Sequence, residues 1–178
     1  MMPTILAFGA STSAQSINKQ LAGYAANAIP DANVKLIDLN DFATPMYSVD
    51  EEAVNGIPAA AKAFVAEIEA VDAVIVSLAE HNGSYTAAFK NLFDWGTRHK
   101  QKVWSDKKML LLSTSPGGRG GATVLAAAAS TFPHLGGDVV ATFSLPSFAD
   151  NFSTTDGIQN EDLKKTFARK LAEFRASL

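Results

Sequence analysis

The chain alternates short apolar runs with stretches of helical period, and that alternation limits it to few architectures. The runs are Thr4–Phe8, Val34–Asp38, Ala73–Leu78, Met109–Thr114 and Val139–Ser144. Most are continuous, the pattern of strands buried on both faces of a parallel sheet. Apolar residues recur at helical spacing in Ser16–Ala28, Pro58–Ala70, Thr86–Thr97, Ala122–Phe132 and Glu161–Ser177. Gly56 and Pro58 suit a helix start, and Pro30 with Asp31 marks the exit from the first helix. Repeated βα units imply a parallel sheet covered by helices on both faces. At 178 residues the chain has room for one domain with a proper core, not two. The expectation is a single doubly wound α/β domain over residues 1–178, with five parallel strands in the order 2-1-3-4-5. Asn40–Gly56 and Leu145–Asn160 lack clear periodicity and read as surface loops, with lids as the alternative.

In such sheets, ligands bind beyond the carboxyl ends of the strands, where the winding reverses. Strands one, three and four are neighbours in that order, and each is followed by a loop of unusual composition. The first, Gly9–Asn18, holds four hydroxyls and two amides without a charge. It opens a helix, whose unpaired N–H groups and partial positive charge can hold a phosphate without lysine. Ser11, Ser13, Ser16 and Asn18 would add side-chain donors, with Ile17 between the last two. A bare helix cap at Ser16, with the other hydroxyls in a solvated turn, is the alternative.

The second loop runs Ala79-Glu80-His81-Asn82-Gly83-Ser84-Tyr85. His81 offers a ring that could lie on a heterocycle, and Asn82 offers both a donor and an acceptor. An ordinary turn is the alternative. The third loop, Ser115-Pro116-Gly117-Gly118-Arg119-Gly120-Gly121, carries four glycines that let a backbone approach a flat ligand closely. Arg119 could stabilise negative charge there, or lie free in solvent.

Other chemistries lose their ground residue by residue. Gly9–Asn18 lacks the Gly-Lys-Ser/Thr ending of a Walker loop, and only Gly9 of a dinucleotide fingerprint is present. Gly9-Ala10-Ser11-Thr12-Ser13 lacks the final glycine of a hydrolase elbow, and the last histidine, His134, precedes the fifth strand. His81, His99 and His134 show no metal-ligand spacing. With no cysteine there is no thiolate nucleophile and no cysteine-ligated cluster. A net charge of -3 gives no basic footprint for nucleic acid, and no apolar run reaches membrane-spanning length. A soluble cytoplasmic protein is expected, whose chemistry comes from a bound cofactor or from oxygen and nitrogen side chains.

Together the three loops resemble those of the NAD(P)H-dependent FMN reductase family, flavodoxin-like enzymes that include quinone, azo-dye and chromate reductases. Ser11, Ser16 and Asn18 match that family's Gly-Ser-x-Arg-x-x-Ser-x-Asn phosphate loop. Glu80, Asn82, Ser84, Lys90, Asn91, Asp94 and Trp95 match its Pro-Glu-Tyr-Asn-x-Ser…Leu-Lys-Asn-x-x-Asp-Trp segment, the most specific of the three. Gly117 to Gly121 match its glycine-rich flavin-edge loop. The chain departs from the pattern at five places. Ala10 stands for a glycine, Ser13 for the phosphate-contacting arginine, Ala79 for a proline, His81 for a tyrosine and Phe89 for a leucine.

The resemblance implies a flavodoxin-like fold and bound FMN. It implies that NADPH or NADH passes a hydride to the flavin, which then passes two electrons to a quinone, a free flavin or another small-molecule acceptor. It also places Ser11, Ser13, Ser16, Ile17 and Asn18 at the phosphate, and Glu80, His81, Asn82 and Gly83 by the ring or ribityl chain. Ser115, Gly117, Gly118, Arg119 and Gly120 would line the ring edge. His81 and Arg119 are the candidates for a catalytic part. A homodimer or dimer of dimers is implied, with the helix of Lys90–Trp95 near the interface; Phe93 and Trp95 suit that place or the core equally. Two rivals share the fold: a non-enzymatic electron carrier, against which the modest charge argues, and an interaction module without cofactor.

Overall fold

The structure is a computed structural model and describes residues 2–178. Its elements run β1 (Thr4–Ala10), α1 (Ile17–Asn27), β2 (Asn33–Leu36), α2 (Val49–Asn55), α3 (Ala59–Glu69) and β3 (Ala73–Leu78). Then follow the two-residue strands β4 (Glu80–His81) and β5 (Ser84–Tyr85), α4 (Ala87–His99), β6 (Lys107–Thr114), α5 (Ala122–Thr131) and β7 (Gly137–Leu145). The chain closes with a single turn, α6 (Phe148–Asn151), the hairpin β8 (Phe152–Ser153) and β9 (Gly157–Ile158), and α7 (Glu161–Arg175). The main sheet has five strands, all parallel, in the order β2-β1-β3-β6-β7. Counting only these, the order is the expected 2-1-3-4-5.

The pleat sorts β1 between two cores. Leu6 and Phe8 join Phe64, Phe89 and Trp104 on the side of α3, α4 and α5. Ile5 and Ala7 join Leu21, Ala25, Phe167 and Phe174 on the side of α1 and α7. Strands β3 and β6 carry the same split, so their runs read as continuously apolar because both faces are covered. Strand β2 is the exception. All four of its residues are exposed, as an edge strand with an uncovered face allows.

Helix α1 is short of charge but well started. The Ser16 hydroxyl accepts the Lys19 N–H at 3.1 Å, an N-cap that satisfies one orphan donor. Gly9 lets this helix lie against the sheet, since a Cβ there would collide with the backbone of Asn18 and Lys19. Ser48 caps α2 in the same way, accepting from Glu51 at 3.0 Å.

The two expected loops are not structureless. Asn40–Gly56 contains most of a 3-10 turn, Leu39–Phe42, and all of α2. Since α2 buries none of its residues, it has no apolar face whose spacing a sequence could display. Leu145–Asn160 contains α6 and the β8–β9 hairpin. Among the described residues no helix is long and apolar enough to cross a membrane.

Candidate active site

Strands β1, β3 and β6 end side by side, with Ala10 opposite Leu78 and Leu78 opposite Ser113. The loops that leave them enclose a cavity of about 440 Å³. Ser11, Ser13, Ser16, Ile17 and Asn18 line one end; Glu80, His81 and Ser115 line the rest. A larger cavity of about 750 Å³ lies at the opposite ends of the strands, near Pro3, Asp72 and Leu178. It has none of the three loops, and in this topology ligands sit at the carboxyl ends.

The first loop is held from several sides. Ser11 Oγ accepts the Ser13 N–H at 3.2 Å, and Ser13 O accepts the Ser16 N–H at 3.1 Å. The Asn40 amide donates to Thr12 O at 3.1 Å and to Asp38 Oδ1 at 2.8 Å. Asp38 in turn takes the Lys19 ammonium at 2.5 Å. That bond, more than any other contact, holds the Asp38 carboxyl below the usual aspartate range.

Two groups at the helix start point away from any protein partner. The N–H groups of Ile17 and Asn18 have no acceptor, being the first two of the helix. Ser11 and Ser16 are 8% and 6% exposed, and each hydroxyl accepts an N–H without donating to any protein atom. Two hydroxyl protons and two N–H groups therefore remain for a ligand.

Asn18 lines the cavity while its side chain bridges inward. The resemblance implies a phosphate donor in its side-chain amide, which is 2% exposed and makes three hydrogen bonds to the inside of the chain. Nδ2 donates to Thr114 O at 3.1 Å, and Oδ1 accepts the Thr114 N–H at 3.1 Å and the Ser77 hydroxyl at 2.7 Å. Its second Nδ2 N–H and its backbone N–H have no acceptor in the chain.

The second loop is a tight hairpin. Asn82 and Gly83 sit at φ 50° and 75°, the left-handed pair that a two-residue turn between β4 and β5 requires. The turn alternative thus describes Asn82 and Gly83, which do not line the cavity. Glu80 reaches across to α5, where its Oε2 accepts the Val124 N–H at 2.9 Å. The cap residue of that helix, Gly121, has no side chain to do so. His81 is exposed at the cavity wall. Thr86 ties the hairpin down: it donates to Ala10 O at 3.0 Å and accepts the Phe89 N–H at 3.2 Å.

The third loop divides. Ser115 lines the cavity, while Gly117, Gly118, Arg119 and Gly120 lie outside its wall. Gly120, at φ 59°, packs into the sheet, where its carbonyl accepts the hydroxyls of Ser113 at 2.7 Å and Ser144 at 2.9 Å. Gly117 and Gly118 have open space around them. Arg119 Nη2 donates to Thr123 Oγ1 at 2.6 Å. The cavity also uses Gln15, Ala79, Thr114 and Pro116, which sequence reasoning had not singled out. Thr114 could have been found, since it belongs to the row Ser113-Thr114-Ser115 that ends an apolar strand.

On α4, the motif residues have structural partners. Asn91 Nδ2 donates to Thr44 Oγ1 at 3.0 Å and Pro45 O at 2.9 Å, and Oδ1 accepts the Tyr47 N–H at 2.8 Å. Trp95 Nε1 also donates to Pro45 O, at 2.8 Å. Phe93 and Trp95 are both buried in the core of this chain, which decides between the two places open to them.

A flavodoxin-like α/β sheet with a donor-lined cleft at the ends of its first, third and fourth main strands defines a class of small-ligand binding domains. Residues 3–150 match the NADPH-dependent FMN reductase family, and the chain belongs to it. It is 36% identical over 109 residues to a quinone reductase of Pseudomonas putida, a match covering 60% of this chain and 57% of that protein. A 2-hydroxy-1,4-benzoquinone reductase of Burkholderia is 34% identical over 107 residues, covering 59% of this chain and 56% of that protein. The chain thus spans little more than half the length of these curated relatives. Among solved structures, the flavoenzyme NAD(P)H:(acceptor) oxidoreductase FerB from Paracoccus denitrificans superposes with a TM-score of 0.76 at 25% identity. That superposition covers 98% of this chain and 96% of that one.

Proposed function

We propose that this chain is an NAD(P)H-dependent flavin oxidoreductase that holds FMN in the cleft at the ends of β1, β3 and β6 and reduces a quinone or similar small acceptor. The observation that carries the reading is the set of free donors at the start of α1. Ile17 N–H, Asn18 N–H and the hydroxyls of Ser11 and Ser16 converge where a phosphate monoester needs them. Their chemistry fits that group, since all are donors and no carboxylate intrudes at that end.

Bound FMN would supply the redox chemistry, taking two electrons from a nicotinamide nucleotide and passing them to the acceptor. The chain's own part is to bind and orient. The α1 start fixes the phosphate, and Asn18 and Asn40 hold that start in place. Thr114, Ser115 and Pro116 form one wall of the cavity beside the hairpin. His81 borders the opening, where its ring can meet the second substrate. The glycine-rich loop and Arg119 flank the outer edge and leave one side open for nucleotide and acceptor in turn.

The proposal includes a homodimer, or a dimer of dimers, in the cytoplasm. Met46, Val49 and Val54 stand exposed on one segment beside α4, which supports association. The choice between NADH and NADPH rests with kinetics. The binding half of the reading is tested on the protein as purified: released flavin is identified by chromatography, and apoprotein is titrated with FMN and FAD. FMN is expected to bind more tightly, because the donors enclose a terminal phosphate. FAD binding as tightly as FMN contradicts that picture.

A further inference from the structure

We infer that the phosphate end of this cavity is a neutral anion site, which selects FMN over riboflavin by hydrogen bonds alone and without a fixed positive charge. The inference rests on the FMN reading above. Of the residues that line the cavity, only Glu80 and His81 can ionise, and both lie on the hairpin rather than in the first loop. The Glu80 carboxylate is turned to the Val124 N–H. The first loop contributes serines, Gln15 and backbone.

The cations close by in sequence are committed elsewhere. Lys19 follows the loop, but its ammonium is held by Asp38 at 2.5 Å, and it does not line the cavity. Arg119 donates to Thr123 and stays outside the cavity wall. What remains are hydroxyls that are nine-tenths buried, with protons no protein atom accepts, and the first N–H groups of α1.

Such a site behaves differently from one built on lysine or arginine. Hydrogen bonds act at contact distance, so dissolved salt does not screen them as it screens separated charges. The chain as a whole carries a net charge of -3, so screening has no long-range attraction to remove. FMN affinity should therefore be flat in ionic strength, while removal of the phosphate should still be costly.

The test titrates apoprotein with FMN and with riboflavin, followed by flavin fluorescence, between about 20 and about 400 mM sodium chloride. It is run at one fixed pH throughout. Wild-type protein is expected to bind FMN at least about tenfold more tightly than riboflavin, with an FMN dissociation constant constant to within about twofold across the salt range. Ser13→Arg, in an exposed lining position, should tighten FMN several-fold at low salt and lose that gain at high salt. Gln101→Arg, beyond the far end of α4, should change neither. Wild-type FMN binding that weakens more than about fivefold with salt overturns the inference by showing that a cation engages the phosphate. Equal affinity for the two flavins, or a Ser13→Arg variant without gain, also overturns it. These results leave flavin binding intact, whereas failure to bind any flavin overturns the FMN reading and this inference together.

Discussion

Asn18 and Thr114, 96 residues apart in the chain, exchange two hydrogen bonds through one side-chain amide. The pair fastens the start of α1 to the end of β6, and the Ser77 hydroxyl adds the end of β3 to the same oxygen. A single buried amide thus joins three of the elements that shape the cleft. Asn18→Ala would leave the Thr114 N–H and C=O and the Ser77 hydroxyl buried without partners. Each such orphan costs about 1–3 kcal/mol, so a loss of roughly 3 kcal/mol or more is expected in urea unfolding of apoprotein. FMN affinity should fall with it, because the Ile17 and Asn18 N–H groups lose their anchor. Unchanged stability contradicts the placement of this side chain.

Ser16 has two roles that one variant separates. As a cap it is worth about 1 kcal/mol of stability. As a phosphate donor its hydroxyl is worth roughly tenfold or more in FMN affinity. Ser16→Ala should lose both, measured by unfolding of apoprotein and by flavin titration. Loss of stability with unchanged affinity would leave Ser16 a cap alone.

Asp38 links acidity to the same loop. Its carboxyl is held low by Lys19 first, then by Asn40, so folding favours the ionised form. A depressed carboxyl contributes stability that is complete above the ordinary aspartate value and is lost as pH falls through the lowered one. Apoprotein should therefore lose this contribution below about pH 4, and Asp38→Asn should remove that part of the pH dependence. The pair is partly exposed, so the effect stays under about 1 kcal/mol. A variant whose acid unfolding profile has the wild-type slope contradicts it.

The strands were legible in the sequence because burial on both faces leaves uninterrupted apolar runs, as in Ala73–Leu78. The position of the cleft followed from their order. Helix α2 was not legible, since an element with no buried residue prints no period. Donor chemistry at Ser11 and Ser16 could be read, but the direction of Asn18 could not. Nothing local distinguishes an amide facing a ligand from one bridging to Thr114. Gly120 shows the same limit: a missing Cβ signals close approach, and here the neighbours are Ser144 and Leu145. Asn82-Gly83 fits the tightness of its hairpin, the turn that the sequence left open as an alternative to ligand contact.

The His81 side chain is exposed at the cavity wall and only its backbone pairs with Ser84, so its replacement should spare the fold. His81→Phe is expected to change turnover with quinone more than FMN affinity, measured by steady-state kinetics beside flavin titration. A large loss of FMN affinity with normal turnover of the loaded protein would move His81 from the acceptor to the cofactor.

In the proposed function the chain passes electrons from a nicotinamide nucleotide to a small acceptor through bound FMN. The most direct measurement mixes FMN-loaded protein with NADH or NADPH in the absence of air and follows flavin absorbance. Rapid bleaching with at least one nucleotide is expected, with recovery of the oxidised spectrum when quinone is added. If neither nucleotide bleaches a flavin that dithionite does reduce, the oxidoreductase account is contradicted and an electron carrier takes its place.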